Sequence, residues 1–430
     1  MAFTFIDLFA GIGGFHAALS SFGGECVFAS DIDERARAVY DLNWGAELRP
    51  YNGKPSLVGD IEGFTDPKVR VPAHDILAAG FPCQPFSKSG YQLGMDEARG
   101  TLFWHIARII EARKPAMVVL ENVRNIAGPR HRHEWEVIIR TLRDLGYRVS
   151  EQPAVFSPHL LPPERGGTPQ VRERVFITAT RVGPRRAHAA ADVQPPISNQ
   201  PVDGWTKGSW DLATHLLLPE GPETFPYRLS PEETAIIDVW DDFVQRLLEA
   251  REGDRLPGFP LWADEFRVRP RIEKDTPAWK ADFLRKNAEF YREHREVIDD
   301  WLDTHDRLRS LPPSRRKLEW QAQDAPSLWN TVMHFRPSGI RAKLPTYVPA
   351  LVAITQTSIV GPRRRRITPR EAARLQGFPD DFDFGDQRDA DTYRQLGNAV
   401  CVGAVQHVVR EHVRQNAADL PDRITDAVLP

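Results

Sequence analysis

The chain has 430 residues, of which 41% are hydrophobic and 27% are charged, a composition typical of a globular protein long enough for two cores. Its formal net charge of −3 predicts no affinity for polyanions by itself, so a nucleic-acid interaction would have to depend on local basic segments. No run reaches the ~18 apolar residues of a membrane helix, and the N-terminus lacks a signal-peptide pattern, so we expect a cytoplasmic protein with no membrane partner. Cys26, Cys83 and Cys401 are too few and too widely spaced for a disulfide framework or a zinc knuckle, so we predict reduced thiols and no metal site.

From Thr4 to about Thr180, short apolar runs alternate with amphipathic segments. The predicted strands are TFIDLF, CVFAS, HDILAAG, AMVVLE and RVFITAT, and the predicted helices cover 15–22, 33–43, 102–113 and 134–145. This alternation predicts an α/β fold with a doubly wound sheet.

A stretch rich in proline, glycine and polar residues at about 184–226 predicts a boundary, and a second region begins there. It contains eight of the eleven tryptophans and two predicted helices, 231–250 and 278–309, so we expect a separate hydrophobic core. Further on, Thr368, Pro369 and Glu371 form a capping box with a proline start, which predicts a helix. The last apolar helix, 399–413, is suited to pack on the first domain, and the tail after Asn416 is expected to be frayed.

The segment DLFAGIGGF brings Gly11, Gly13 and Gly14 directly after the first strand, where a tight turn lets the backbone approach a ligand. The dinucleotide fingerprint requires a third glycine where His16 stands, which makes phosphate binding the weaker interpretation. A plain helix-opening turn is the alternative to a ligand site.

Three carboxylates follow the next strands. Asp31 and Asp33 end the second strand, where a carboxylate can accept both hydroxyls of a ribose, and Asp60 stands where a third strand should end. An acceptor at Asp60 could bind the exocyclic amine of adenine. Together with the glycine turn, these positions favour a nucleoside cofactor.

Cys83 stands between two prolines in GFPCQPFSKSG, just after an apolar run that predicts a buried strand. A cysteine on a stiff turn suggests a nucleophile, which would need an activating site because a free thiol is only slightly ionised at neutral pH. A buried, inert cysteine is the alternative. The next strand ends in VVLENV, so Glu121 reaches the sheet edge where open α/β sheets bind ligands, although it could also cap the following turn.

Gln170, Arg172 and Arg174 alternate along one predicted strand and would share a face, which in isolation is typical of a solvated sheet surface.

Taken together, these segments resemble the DNA (cytosine-5) methyltransferase family. The matching blocks, in the family's order, are DLFAGIGGF, SDID, GDI, GFPCQPFS, ENV, QVRER, RRITPREAARLQGFP and QLGNAV. They cover about 230 residues on both flanks of the chain and leave out the middle, where this family keeps its target-recognition region.

The resemblance implies a Rossmann-like, S-adenosylmethionine-dependent methyltransferase domain with a second, smaller target-recognition domain. We assign 1–190 to the catalytic, cofactor-binding domain, 191–387 to target recognition and 388–430 to a segment that returns to the catalytic domain. In the implied reaction Cys83 adds to carbon 6 of a flipped-out cytosine, and Glu121 holds a proton at ring nitrogen 3. The implied catalytic residues are Cys83, Glu121, Arg172 and Arg174. The implied cofactor-binding residues are Phe9, Gly11, Gly13, Gly14, Asp31, Ile32, Asp60, Ile61, Pro82, Leu102 and Asn398.

The expected partner is double-stranded DNA, with contacts from Ser87, Ser89, Arg99, Gln170 and Arg366. The basic run Arg363 to Arg366 is suited to phosphate contacts, although a solvated charge run is the usual alternative. A single recognition region resembles a bacterial or phage modification enzyme, for which a restriction endonuclease acting on the same site is a candidate partner. One chain carries every block, so we expect a monomer.

Three other functions fit the sequence less well. A tRNA cytosine-5 methyltransferase shares the cysteine and glutamate blocks, but its Cys-Phe-Thr signature is absent. A DNA-binding protein built on an inactive methyltransferase is disfavoured by intact Cys83, Glu121 and Arg174. A nicotinamide dehydrogenase is disfavoured by the glycine spacing and leaves the PCQP block without a role.

Overall fold

The structure is a computed structural model that describes residues 2–51, 53, 55–82, 101–189, 193–352 and 357–429. It divides into two compact units. Unit 1 consists of Met1–Ser209, Ala350–Ile354 and Ala372–Pro430, and unit 2 consists of Trp210–Pro349 and Thr355–Glu371. Both predicted domain boundaries, at 190 and at 387, therefore fall inside unit 1.

The strands and helices are numbered in chain order. The strands are β1 Thr4–Leu8, β2 Glu25–Ser30, β3 Leu57–Val58, β4 Ile76–Gly80, β5 Met117–Val123, β6 Tyr147–Val149, β7 Ala154–Phe156, β8 Gln170–Val171, β9 Arg174–Arg181, β10 Leu261–Trp262, β11 Lys317–Gln321, β12 Val332–Arg336, β13 Gly339–Lys343, β14 Val348–Pro349, β15 Ile359–Val360 and β16 Arg365–Arg366. The helices are α1 Gly14–Ser20, α2 Glu34–Trp44, α3 Glu62–Thr65, α4 Leu102–Arg113, α5 Arg132–Asp144, α6 Pro184–Ala189, α7 Leu212–His215, α8 Pro231–Ala250, α9 Ala278–Glu293, α10 Arg295–Thr304, α11 Pro369–Leu375, α12 Asp389–Asn398, α13 Val402–Asn416 and α14 Asp422–Val428.

Unit 1 is built on a mixed sheet. Among the described residues its strand order is β3-β2-β1-β4-β5-β9-β6, and β7 also pairs with β9. The first five strands in this order are parallel, whereas β9 runs antiparallel to β5. The chain proceeds outward from β1 to β3 and then returns to β4 beside β1. This reversal creates a topological switch point, where the carboxyl ends of β1 and β4 form the usual ligand crevice of a doubly wound sheet.

The five strands predicted from the sequence in this unit are confirmed as β1, β2, β4, β5 and β9. Their continuous apolar runs fit strands that helices cover on both faces. Helix α2 starts where Asp33 accepts hydrogen bonds from the backbone N–H groups of Arg35 and Ala36, as an N-cap aspartate should. The predicted helix at 102–113 matches α4 residue for residue.

Unit 2 has its own core, as the tryptophan distribution predicts. Its sheet, in the described residues, has the order β10-β11-β13-β12-β15-β16. Trp240 of α8, Trp301 of α10 and Trp320 of β11 are buried together in this core. Helix α8 starts at a complete capping box between Ser230 and Glu233.

Two helix predictions need correction. The single helix predicted over 278–309 is broken at His294 into α9 and α10. The tail after Asn416 is not frayed, because α14 buries Ile424 and Val428 completely.

The predicted capping box is confirmed, since Glu371 and Thr368 each accept from the other's backbone N–H.

Within the part of the chain that the structure describes, no helix is both long enough and apolar enough to cross a bilayer.

Candidate active site

A cavity of about 680 Å³ opens at the switch point of unit 1. Its volume lies within the range of small-molecule sites. Nine of the eleven predicted cofactor-binding residues line it: Phe9, Gly11, Asp31, Ile32, Asp60, Ile61, Pro82, Leu102 and Asn398. The carboxyl ends of β1, β2, β4 and β5 therefore contribute to one site, as the topology requires.

The glycine turn does not present all three of its glycines to the cavity. Gly11 lines the cavity in a left-handed conformation, with φ of 56°, and its N–H donates to Asp31 Oδ2 at 2.7 Å. Gly13 and Gly14 are absent from the lining. A Cβ on Gly13 would lie 2.3 Å from Trp44 Nε1, and one on Gly14 would lie 2.7 Å from the Val400 carbonyl oxygen. These two glycines stand where a Cβ would clash with neighbouring atoms. Their contact with the cofactor stays a prediction.

Asp31 accepts a backbone hydrogen bond on each of its two carboxylate oxygens. Its Oδ1 accepts from the Asp33 N–H at 2.8 Å and its Oδ2 from Gly11. Burial raises the pKa of Asp31, while the hydrogen bonds from Asp33 and Gly11 oppose the rise. Beside it Ile32 is 77% exposed, an unusual position for an isoleucine and one suited to cover the flat face of an aromatic ligand.

At the opposite side of the cavity lining, Glu121 near the end of β5 forms an ion pair with Arg174 at the start of β9. The two strands are antiparallel neighbours, and Glu121 Oε1 lies 3.0 Å from Arg174 Nε. Burial raises the pKa of Glu121, and the Arg174 and Arg172 guanidiniums lower it. The pair combines a carboxyl that burial inclines to keep its proton with a fixed hydrogen-bond donor, and both groups line the cavity.

Arg172 has a different environment from Arg174. Its guanidinium is buried and donates to the carbonyls of Leu351, Gly397 and Ala399 at 2.7–2.9 Å. Burial lowers its pKa to about 10. Of the two predicted catalytic arginines, Arg174 therefore pairs with a carboxylate. Arg172 instead ties its own segment to the 351 and 397–399 segments of unit 1.

Gln170 does not fit the predicted DNA contact. Its side chain is completely buried, its Nε2 donates to the Leu375 carbonyl at 3.0 Å, and its Oε1 accepts from the Leu351 N–H at 2.8 Å. The predicted single strand is also interrupted, because β8 ends at Val171 and β9 begins at Arg174. Gln170 therefore has a structural role in unit 1.

The basic run in unit 2 is similarly not a uniform phosphate patch. Arg365 is fully buried and donates to both oxygens of Glu371 at 2.7 and 2.9 Å. Arg366 pairs with Glu233 at 2.5 Å and donates to the Thr357 carbonyl. The prediction that Arg366 contacts DNA is not supported, whereas Arg363 and Arg364 are exposed.

Four predicted site residues, Cys83, Ser87, Ser89 and Arg99, lie outside the described residues. Cys83 directly follows Pro82, which lines the cavity. Asn122, for which the sequence predicted no role, is buried beside Glu121 and lines the same cavity. Its Nδ2 donates to the Phe81 carbonyl at 2.8 Å and so fixes the backbone that leads to Pro82. The sequence signal for this role was a polar asparagine at the end of an otherwise apolar strand.

No group of three or more His, Cys, Asp or Glu side chains within the described ranges is arranged to hold a metal ion.

The chain is similar to several known proteins. The family model described as C-5 cytosine-specific DNA methylase matches residues 3–414. The Type II methyltransferase M.AluI of Cellulosimicrobium cellulans is 48% identical over 510 residues, which cover 99% of this chain and 96% of that protein. The Type II methyltransferase M.BanI of Aneurinibacillus aneurinilyticus is 30% identical, with 98% of each chain covered. A solved structure described as a DNA modification methyltransferase encoded within an E. coli prophage covers 96% of this chain and 99% of that chain, at 19% identity and a TM-score of 0.49.

Proposed function

Because the chain belongs to the C-5 cytosine-specific DNA methylase family, we propose that the cavity of unit 1 binds S-adenosylmethionine and that Cys83, Glu121 and Arg174 act on the cytosine. The activity is methylation of carbon 5 of cytosine in DNA. The observation that carries the assignment of residues is the Glu121–Arg174 pair, 3.0 Å apart, in the same cavity as Asp31 and Gly11.

The residues of the cavity fit S-adenosylmethionine chemically. Asp31 presents a carboxylate for the ribose hydroxyls, Ile32 offers an exposed apolar surface for adenine, and Asp60 lies in the same lining as an acceptor for the adenine amine. When bound, S-adenosylmethionine supplies the electrophilic methyl group that carbon 5 accepts.

The remaining chemistry belongs to the chain's own residues. The Cys83 thiolate forms a bond to carbon 6 of cytosine, which places electron density on carbon 5. Glu121, whose pKa is raised by burial, holds a proton at ring nitrogen 3 and offsets the charge that the addition creates. Arg174 orients Glu121 and donates toward the carbonyl oxygen of the base. Loss of the carbon 5 proton to solvent and departure of the thiolate then restore the aromatic ring.

The target base must leave the duplex to reach such a pocket, at a cost of a few kcal/mol. We assign Ser87, Ser89 and Arg99 to the DNA contacts that accompany this step, because they follow Cys83 within the same polar segment of the sequence. Arg172 we assign to positioning: its three carbonyl partners hold the 351 and 397–399 segments that contribute Leu351, Gly397, Asn398 and Ala399 to the cavity wall.

We assign target recognition to unit 2 and, within it, DNA phosphate contact to the outward side chains of β11, β12 and β13, which we call the hairpin face. In β12 and β13, Met333, Phe335, Ile340 and Ala342 enter the core of unit 2. The alternate positions point away from this core. The hairpin face consists of Lys317, Glu319, Gln321, His334, Arg336, Arg341 and Lys343.

The hairpin face carries a concentrated positive charge. Its four cationic side chains face one carboxylate, Glu319, which pairs with both Arg336 and Arg341. Burial and the neighbouring cations lower the pKa of His334 to about 4, so this imidazole is neutral near pH 7. A local cationic surface on a chain of net charge −3 supports a polyanionic partner.

The relatives named Type II methyltransferases support a place for this chain in a restriction-modification system, with an endonuclease that acts on the same site as a further partner. A monomer is the expected assembly, since one chain carries every sequence block of the family. The tRNA-modifying alternative is not favoured, because the family model and these relatives are DNA methylases.

The test is base-resolution conversion sequencing of plasmid DNA from a methylation-deficient host that expresses the protein. We expect cytosines in one short recurring context to resist conversion. A Cys83→Ala variant, expressed at the same level, should leave every cytosine convertible. Protection that persists in Cys83→Ala, or protection without a common context, would contradict the proposal.

A further inference from the structure

The glycine turn has a second support besides Asp31. The indole Nε1 of Trp44, the last residue of α2, donates to the Ile12 carbonyl at 3.2 Å. The same ring closes the space above Gly13, where a Cβ would lie 2.3 Å from Nε1. The backbone of residues 11–13 is thus held by Asp31 through Gly11 and by Trp44 through Ile12 and Gly13.

His16 holds Trp44 in this position. The two rings are stacked, with centroids 4.6 Å apart and planes 19° from parallel. His16 Nδ1 is hydrogen-bonded with the Tyr40 hydroxyl at 2.6 Å, and Nε2 with Glu47 Oε2 at 3.0 Å, so the imidazole cannot rotate away from the indole. Burial also lowers the pKa of His16, which favours a neutral ring against Trp44.

This support matters because the turn is conformationally demanding. Phe9, Gly11 and Gly13 all have positive φ, of 56°, 56° and 92°. A positive φ at Phe9, which is not a glycine, persists only when surrounding contacts fix it. Gly11 and Gly13 adopt positive φ without strain but are equally free to leave it, so contacts must hold them as well. A turn that is already fixed before a ligand arrives loses less conformational freedom on binding than a mobile one.

We propose that Trp44, clamped by His16, is a positioning residue that preorganises the glycine turn and thereby sets the affinity for the methyl donor without touching it. This inference rests on the proposed binding of S-adenosylmethionine in the cavity. It accounts for His16 at the position where a dinucleotide fingerprint would have glycine: the side chain there is used behind the turn rather than in the ligand site.

The test is a Trp44→Phe variant, which keeps a stacked aromatic ring and removes the N–H that reaches Ile12. We expect the Kd for S-adenosylmethionine, measured by calorimetry without DNA, to rise about three- to tenfold, in line with the loss of one neutral hydrogen bond. The KM for S-adenosylmethionine should rise with it, while kcat and the KM for DNA stay within about twofold.

Trp135→Phe is the matched control. The indole of Trp135 also lies in unit 1, is also half-buried and also donates to one backbone carbonyl, that of Glu151 at 2.9 Å. It does not line the cavity. We expect this variant to lose a similar amount of thermal stability and to keep the wild-type Kd.

A second variant, His16→Leu, should raise the Kd in the same direction, and its effect should not add to that of Trp44→Phe in the double variant, since both act through one ring. An unchanged Kd in Trp44→Phe, or an equal rise in Trp135→Phe, would overturn the inference. Failure of the wild-type protein to bind S-adenosylmethionine would instead refute the proposed function, so the two failures are distinguishable.

Discussion

Each unit contains a glutamate beside an arginine, and the two pairs have opposite surroundings. In unit 2, both oxygens of Glu371 are saturated: they accept from two nitrogens of Arg365 and from the N–H groups of Leu218 and Thr368, at 2.7–2.9 Å. In unit 1, Glu121 has a single ion pair among the described residues, with Arg174 at 3.0 Å, and it borders a cavity.

The difference indicates what each pair does. A carboxylate whose acceptor positions are all filled by its own unit stabilises that unit. A buried carboxyl with few partners keeps a raised pKa and can exchange a proton with a ligand. We therefore expect the same two residue types to form a structural element in unit 2 and a reactive site in unit 1, and identical substitutions in the two pairs should have different consequences.

The largest effect is expected for Glu121→Gln. The amide cannot deliver a proton to ring nitrogen 3, so kcat should fall by about 10²–10⁴, the usual contribution of a general acid or base. The Kd for S-adenosylmethionine and the melting temperature should change little, because Glu121 has few partners to lose. Single-turnover methylation and thermal unfolding measure the two quantities. A rate within threefold of wild type would exclude a proton-transfer role.

Glu371→Gln, the same chemical change in unit 2, should act on stability. The substitution leaves the buried Arg365 guanidinium without its closest counter-charge, which should cost about 3 kcal/mol of unfolding free energy. Denaturant unfolding measures this loss, and methylation per folded molecule at low temperature should stay near wild type. If Glu371→Gln lost methylation rate but no stability, the structural role assigned to the Glu371–Arg365 pair would be wrong.

The pH dependence of the methylation rate should report the protonation of the Glu121 carboxyl. Its raised pKa means that the protonated form persists above the pH at which an exposed glutamate ionises, so activity should decline as pH rises through that pKa. The Arg174 cation lowers this pKa. In Arg174→Gln the alkaline decline should therefore move to higher pH, although the overall rate is lower. A decline at the same or lower pH, measured by single-turnover profiles, would contradict the assignment.

The smallest effect is expected on the hairpin face. Lys343→Ala removes one cation, so the slope of log Kd for duplex DNA against log salt should fall by about 0.9, the value of one phosphate contact. Lys280→Ala, at an exposed lysine of α9 in the same unit, removes the same charge away from the face and should leave the slope unchanged. Equal slopes for Lys343→Ala and wild type would exclude the phosphate contact.

Sequence patterns predicted the strands, helices and caps whose formation depends mainly on neighbouring residues in the chain. The apolar runs of β1, β4 and β5, the capping box at Thr368 and the helix at 102–113 depend on neighbouring residues, and all were predicted. The break at His294 and the packing of α14 depend on tertiary contacts. The hydrophobic periodicity of the sequence carries no information about such contacts.

The site shows the same division. Asp31 and Glu121 were predicted because strand ends in a doubly wound sheet converge on one crevice. The burial of Gln170 and Arg365, and the packing roles of Gly13 and Gly14, depend on segments distant in sequence such as Leu375, Glu220 and Val400. The sequence motif identifies these residues as important but does not distinguish a ligand contact from a packing contact.

The central claim is that Cys83 forms a bond to cytosine carbon 6 during methylation, and it can be tested directly with duplex DNA in which 5-fluorocytosine replaces cytosine. Fluorine at carbon 5 leaves no proton to be lost after methyl transfer, so the thiolate cannot depart. With S-adenosylmethionine present, we predict a denaturation-resistant protein–DNA complex in which mass spectrometry maps the modified peptide to Cys83. A complex mapped to another residue, or none under conditions where unmodified DNA is methylated, would contradict the account.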